Sequence, residues 1–181
     1  MSIALSTAIL VLIILLLIMI SAFFSSAETA LTAASEARIR QLAKTKANRQ
    51  AMRVEKLRKN KEELISTILV GNNLVNILAS ALATSAAISL TGDGGVALAT
   101  LVMTVIIVLF AEVLPKSYAF NNADRFSLKI ALIVQVFVWA LKPVTWSLRV
   151  IVIRLLRNKS EAGNSREDEL RGLIDLHSED T

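Results

Sequence analysis

The chain has no cysteine and a single histidine, His177, among its 181 residues. Disulfide bonds and thiol chemistry are therefore excluded, and neither a zinc site nor a histidine base has the residues it would need. Charged residues are also scarce. They make up only 19% of the chain, against about a quarter in a typical soluble domain. Apolar residues make up 54% of the chain, and this composition indicates a membrane protein.

The positive charges are concentrated in one segment. Residues 38–61 hold ten of the twenty lysines and arginines and a single acidic residue, Glu55. A charge is costly at the centre of a bilayer and cheap outside it, so this separation is what a membrane imposes. A nucleic-acid-binding protein would instead need a basic face on a folded soluble domain. We therefore expect a lipid bilayer as a partner and no nucleic acid.

Three stretches are apolar and long enough to cross about 30 Å of hydrocarbon. They predict spans at residues 3–34, 64–90 and 96–120, with a glycine-rich turn between the last two. The first stretch lacks the basic start of a signal peptide, and it is longer than the apolar region of a signal peptide usually is. It is therefore predicted to be a membrane span. The positive-inside rule places the basic segment in the cytoplasm. This predicts a multi-pass protein of the cell (inner or plasma) membrane, with its N-terminus outside and its C-terminus cytoplasmic.

Residues 126–157 are harder to assign. A first apolar piece, 128–141, is short and ends at Lys142–Pro143, and a second piece, 144–156, carries Arg149 and Arg154 and is followed by Arg157. We predict juxtamembrane helices on the cytoplasmic side, with a fourth span as the alternative. The predicted fold is thus an all-α transmembrane domain over residues 1–158, with short cytoplasmic-side helices. Residues 159–181 are predicted to be a polar linker towards absent cytosolic domains.

Polar side chains recur inside the second predicted span. Asn72, Asn76, Ser80 and Thr84 follow one another every four residues, so they share one face of a helix. An amide that faced lipid would leave its polar groups unpaired, so this face must meet protein, water or an ion. Hydrogen bonding between helices and ion binding are the two interpretations.

An acidic residue, Glu112, follows sixteen uncharged residues in the third span. Three residues later Pro115 has no N–H, so the carbonyl of Ala111 loses its helical partner. Hydroxyl groups of Ser25 and Ser26, near the end of the first span, add neutral oxygens. Hard cations take oxygen ligands, and Mg²⁺ is one of them. The residue types alone do not separate Mg²⁺ from Ca²⁺, Mn²⁺ or Na⁺.

Three short strings stand in order on the three predicted spans: FSSAETAL at 24–31, GNNLVN at 71–76 and EVLPK at 112–116. In these strings the sequence resembles the membrane domain of the CorC/CNNM (cyclin M) family of magnesium transporters. The resemblance implies a homodimer with three spans and a juxtamembrane helix per chain. It also implies Mg²⁺ as the transported ion, bound in a cavity open to the cytoplasm and coupled to Na⁺. The absent cytosolic part would then include CBS domains.

The resemblance also assigns roles to residues. It implies a metal site made of Ser25, the carbonyl of Gly71, Asn72, Asn76 and Glu112. Pro115 would shape the third span beside that site, and Ser26, Glu28 and Asn73 are additional candidates.

The leading functional hypothesis is Na⁺-coupled export of Mg²⁺ by alternating access. The alternative is a Mg²⁺-binding regulatory or sensor subunit that transports nothing. A third possibility, an intramembrane hydrolase that uses Ser25 or Ser26, would need a base, and the spans contain neither a histidine nor a buried lysine to act as one. We therefore predict that the protein is not an enzyme.

Overall fold

The computed structural model describes the backbone of residues 2–45 and 47–179, and the side chains of residues 7–45, 47–92 and 94–154. These ranges contain helices and turns and no strand, which confirms the predicted all-α class. The elements are, in order, α1 (Ser2–Ala33), α2 (Glu36–Thr45), α3 (Arg49–Lys59), α4 (Lys61–Thr91), a 3₁₀ turn (Gly92–Gly94), α5 (Gly95–Ile106), a π segment (Ile107–Val113), α6 (Leu114–Asn121) and α7 (Ala123–Glu179).

Four helical segments are long and apolar enough to cross a membrane, judged by length and composition: Thr7–Ala33, Lys61–Thr91, Gly95–Asn121 and Ala123–Arg154. The first three overlap the three predicted spans. The fourth covers the segment for which juxtamembrane helices were predicted, so the three-span topology stays a prediction. Large apolar side chains on these helices are widely exposed, as a surface that meets lipid requires.

One sequence expectation differs from the structure at Pro143. Two separate helical pieces were predicted on either side of this residue, but α7 continues through it as one helix. A proline in a helix removes one main-chain hydrogen bond and usually kinks or ends it. In apolar surroundings, however, ending the helix would leave more main-chain groups unpaired than continuing it, so helices tolerate proline there.

The helix ends have identifiable causes. The side-chain oxygen of Asn48 accepts hydrogen bonds from the N–H groups of Gln50 and Ala51, at 2.8 and 3.3 Å, and so caps α3. Helix α4 ends at Gly92, whose φ of 70° is the left-handed conformation that glycine adopts without strain. At the other end of the bundle, Asp124 accepts hydrogen bonds from the Ser35 N–H at 2.8 Å and from Arg38 at 3.2 Å. These contacts tie the turn after α1 to the start of α7.

Contacts divide the chain into two units, Met1–Lys142 and Pro143–Thr181. The first unit contains two apolar clusters. A larger cluster joins α1, α2, α3, α4, α6 and the first part of α7, and includes Phe24, Val75 and Ala119. A smaller cluster is formed by Ile18, Ala79, Met103 and Ala111, from α1, α4, α5 and the π segment.

Candidate cation site

Polar side chains lie where the two apolar clusters meet. On α1 they follow Ile18 of the smaller cluster, and on α4 they lie on either side of Val75 of the larger one. Helix α1 packs against both α4 and the π segment, which brings these three parts of the chain together. We call this group the polar layer, and its members are Ser21, Ser25, Asn72, Asn76 and Glu112.

A hydrogen bond joins the two helices in this layer. The hydroxyl group of Ser21, which is fully buried, donates to Oδ1 of Asn72 at 2.7 Å. This bond fixes the orientation of the amide, and Oδ1 retains a second lone pair for another partner. Asn72 is therefore positioned by α1 rather than by its own helix.

Two other oxygens in the layer have no partner. Ser25 is fully buried, and its Oγ atom makes no hydrogen bond within the described residues; the same is true of the buried Oδ1 atom of Asn76. A buried polar atom that is left unsatisfied costs about 1–3 kcal/mol. Two such atoms in one layer are unusual, because buried polar groups in native proteins are nearly all paired. Their chemistry fits a cation that oxygen ligands would bind.

Glu112 lies on the π segment and is half-buried. Single π turns inside α-helices are frequent at functional sites. Because Pro115 has no N–H, at least one main-chain oxygen in the preceding turn is left without an amide donor. The hydroxyl group of Ser26 donates to the carbonyl oxygens of Ala22, at 2.8 Å, and Pro115, at 3.4 Å. Ser26 therefore contacts the main chain next to the site.

Two of the additional candidates, Glu28 and Asn73, have other surroundings. The carboxylate of Glu28 lies 3.4 Å from Nζ of Lys116, and both side chains are about two-fifths exposed. Asn73 is exposed on α4, unlike Asn72 and Asn76. The described residues contain no group of three or more His, Cys, Asp or Glu side chains that could hold a metal. A cation in the polar layer would therefore depend on neutral oxygens in addition to Glu112.

Gly71 is buried against an aromatic ring. A Cβ atom added at this position would lie 2.6–2.9 Å from three carbons of the Phe24 ring. That ring is held in turn by Phe137, at a centroid distance of 4.9 Å. The absence of a side chain at Gly71 thus allows α1 and α4 to approach closely beside the polar layer. That the carbonyl oxygen of Gly71 binds a metal ion stays a prediction.

Sequence reasoning missed Ser21. Its position, four residues before Ser25, places both hydroxyl groups on one face of α1. The same spacing rule that singled out the asparagines of α4 therefore identifies it. It was missed because a single serine inside an apolar helix, taken alone, indicates no partner.

Comparison with known proteins gives a consistent result. The sequence model of the cyclin M transmembrane N-terminal domain matches residues 12–181. The chain is 40% identical over 161 residues to the UPF0053 inner membrane protein YfjD of Escherichia coli K12, which covers 86% of this chain and 37% of that protein. It is 38% identical over 156 residues to a UPF0053 protein of Haemophilus influenzae, covering 86% and 36%.

A more distant relative is a chloroplast DUF21 domain-containing protein of Arabidopsis thaliana. It is 36% identical over 170 residues, which cover 86% of this chain and 24% of that protein. The chain thus spans about a third of the length of its bacterial relatives and about a quarter of the plant protein.

Proposed function

We propose, on the premise that the chain belongs to the cyclin M transmembrane domain family, that it carries Mg²⁺ across the membrane. The protein is a multi-pass membrane protein by its apolar helices and its relatives. The observation that supports transport of a cation is the pair of unpartnered buried oxygens, Ser25 Oγ and Asn76 Oδ1, in the polar layer. Such oxygens, inside an apolar bundle, are what a cation needs in place of water.

The residues of the polar layer fit Mg²⁺ by type. Mg²⁺ takes oxygen ligands in a near-octahedral arrangement and gives up its water reluctantly. The layer offers the carboxylate of Glu112 and neutral oxygens from Ser25, Asn72 and Asn76, with Ser21 fixing the Asn72 amide. These are fewer than six ligands, so we propose that the ion keeps part of its hydration shell.

The proposed mechanism is alternating access. Mg²⁺ enters from the cytoplasm, exchanges part of its water for oxygens of the polar layer, and leaves on the other side when the helices rearrange. Entry of Na⁺ would drive this export, as the family resemblance implies. A homodimer in the inner or plasma membrane, with the N-terminus outside, belongs to the same proposal.

Isothermal titration of the purified chain with Mg²⁺ tests the binding step. We expect saturable binding to the wild type. Affinity should fall about tenfold or more, which is about 1.4 kcal/mol, for Glu112→Gln, which removes the negative charge of the layer, and for Asn76→Ala, which removes an amide oxygen. Asn73→Ala is the matched control, since it removes the same amide from an exposed position next to the site. Equal binding by all four proteins would refute the assignment of the site.

Flux through liposomes tests transport itself. A Mg²⁺-sensitive dye inside vesicles that contain the chain should report Mg²⁺ movement that depends on an opposing Na⁺ gradient. Glu112→Gln vesicles should show only the leak of empty ones. Binding without flux under any gradient would support the sensor alternative, and flux that ignores Na⁺ would contradict the coupling alone.

A further inference from the structure

A cavity of about 210 Å³ lies between α3, the start of α4 and the first part of α7. We call it the basic cavity, because Arg53, Lys56 and Lys142 line it against a single carboxylate, Glu63. Arg53 and Lys56 have no carboxylate within ion-pair distance among the described residues, whereas three other basic side chains of the same segment, Arg38, Arg40 and Lys59, are paired. The cavity therefore has an excess of positive charge that an anion would offset.

The floor and the edge of the basic cavity are apolar. Leu57 and Leu64 are buried beneath it, and Trp139 lies at its edge with 77% of its surface exposed. Leu64 is also the first residue of the uncharged run of α4, so the cavity lies where the chain passes from charged to uncharged sequence. Tryptophan prefers the interface between membrane and water. An exposed tryptophan beside this junction therefore fits the level of the lipid headgroups.

Asn60 also lines the cavity, at the point where α3 ends and α4 begins. Two carboxylates, Glu62 and Glu63, lie in the first turn of α4 and offset the partial positive charge of its first N–H groups. The positive charge of the cavity therefore comes from its basic side chains.

We propose that the basic cavity binds the phosphate group of an anionic phospholipid. Arg53 and Lys56 would contact the phosphate, and the acyl chains would continue past Trp139 into the bilayer. A phosphate diester carries one negative charge. This suits the cavity, because the carboxylate of Glu63 would repel a second negative charge on the ligand. A free phosphate ion shares the recognition chemistry but would leave the apolar floor and the exposed indole unused.

Fluorescence of Trp139 reports on this site directly. In a Trp146→Phe background Trp139 is the only tryptophan, and phospholipids brominated in their acyl chains quench it when they lie beside it. We expect brominated phosphatidylglycerol to compete for this position about fivefold or more better than brominated phosphatidylcholine, because each basic residue near the surface adds attraction. Arg53→Gln/Lys56→Gln should lower that preference to about one.

The matched control is Lys44→Gln/Arg49→Gln, which removes the same charge from exposed positions of the basic segment outside the cavity. It should keep the preference. If the control loses as much of the preference for phosphatidylglycerol as the cavity variant does, general attraction of the basic segment explains the effect and the proposal is wrong. Should the double variant fail to fold, Arg53→Gln alone takes its place, and an unchanged preference there would also contradict the proposal.

A titration with inorganic phosphate separates the two sources of the anion. At constant ionic strength, phosphate at millimolar concentration should not change the quenching by phosphatidylglycerol. Displacement of the lipid by phosphate, but not by sulfate, would overturn the assignment to a lipid and point to a free phosphate site.

Discussion

Substituting Gly71 by alanine tests whether this residue acts through its carbonyl or through close packing. The change leaves the carbonyl in place but adds a Cβ atom 2.6 Å from the nearest carbon of Phe24. Ordinary contact begins at 3.4 Å, so the ring or α4 must move by about 0.8 Å. Phe24 has little freedom to move, because it is buried and packs against Phe23 and Phe137. Overpacking of this kind costs about 1–3 kcal/mol.

The displacement also reaches the polar layer. Gly71 adjoins Asn72, and Phe24 adjoins Ser25, so pushing α1 and α4 apart lengthens the distances between the cation ligands. We expect the unfolding temperature of Gly71→Ala in detergent to fall by about 5 °C. Its Mg²⁺ affinity should fall by about tenfold, since small misplacements of ligands have large effects on binding. Differential scanning fluorimetry and isothermal titration measure the two quantities.

A second substitution provides the internal control. Phe24→Leu shortens the side chain that the new methyl group meets, so Gly71→Ala/Phe24→Leu should recover stability and affinity relative to Gly71→Ala alone. The two effects would then be strongly non-additive, as expected for residues in contact. If Gly71→Ala by itself changes neither quantity, the steric argument is refuted.

Three further predictions concern the surroundings of the site. Ser21→Ala should lower stability by about 1 kcal/mol and weaken Mg²⁺ binding, because the Asn72 amide loses its hydrogen bond; an unchanged titration would contradict this role. Glu28→Gln breaks a half-exposed ion pair with Lys116. We therefore expect the free energy of unfolding to fall by less than about 1 kcal/mol and the Mg²⁺ affinity to change by no more than about twofold. A larger loss of affinity would place Glu28 in the site. Pro115→Ala restores an N–H group and so favours α-helical hydrogen bonds over those of the π segment. We expect the unfolding temperature to rise and the Mg²⁺ affinity to fall about tenfold. Tighter Mg²⁺ binding would argue against a functional role of the π segment.

The membrane helices could be predicted closely from the sequence. The spans predicted at 64–90 and 96–120 correspond to Lys61–Thr91 and Gly95–Asn121. Uncharged runs of this length have few alternatives, because a helix satisfies its own main-chain groups in the absence of water. The sequence divides into two apolar pieces at Pro143, yet α7 continues through this residue.

The candidate site residues could be named from the sequence, but their contacts could not. The four-residue spacing of Asn72 and Asn76 depends on one helix alone, and it correctly separates them from the exposed Asn73. The partner of Glu28 is Lys116, from a distant part of the chain, and no local pattern encodes that pair. The π segment around Glu112 is likewise invisible in the sequence, where only Pro115 indicates an irregular helix.

The charge of the polar layer bears on the proposal that it binds Mg²⁺. The five residues of the layer include one carboxylate, Glu112, which would offset half of the charge of the ion, and their neutral oxygens would offset none. Metal affinity in proteins rises with the number of charged ligands and with the rigidity of the site. Full dehydration would also require about six well-placed oxygens, more than the layer provides. The proposed site would thus hold the ion weakly and leave it some of its water, so that the ion could leave readily, as the transport hypothesis requires and long-term binding does not.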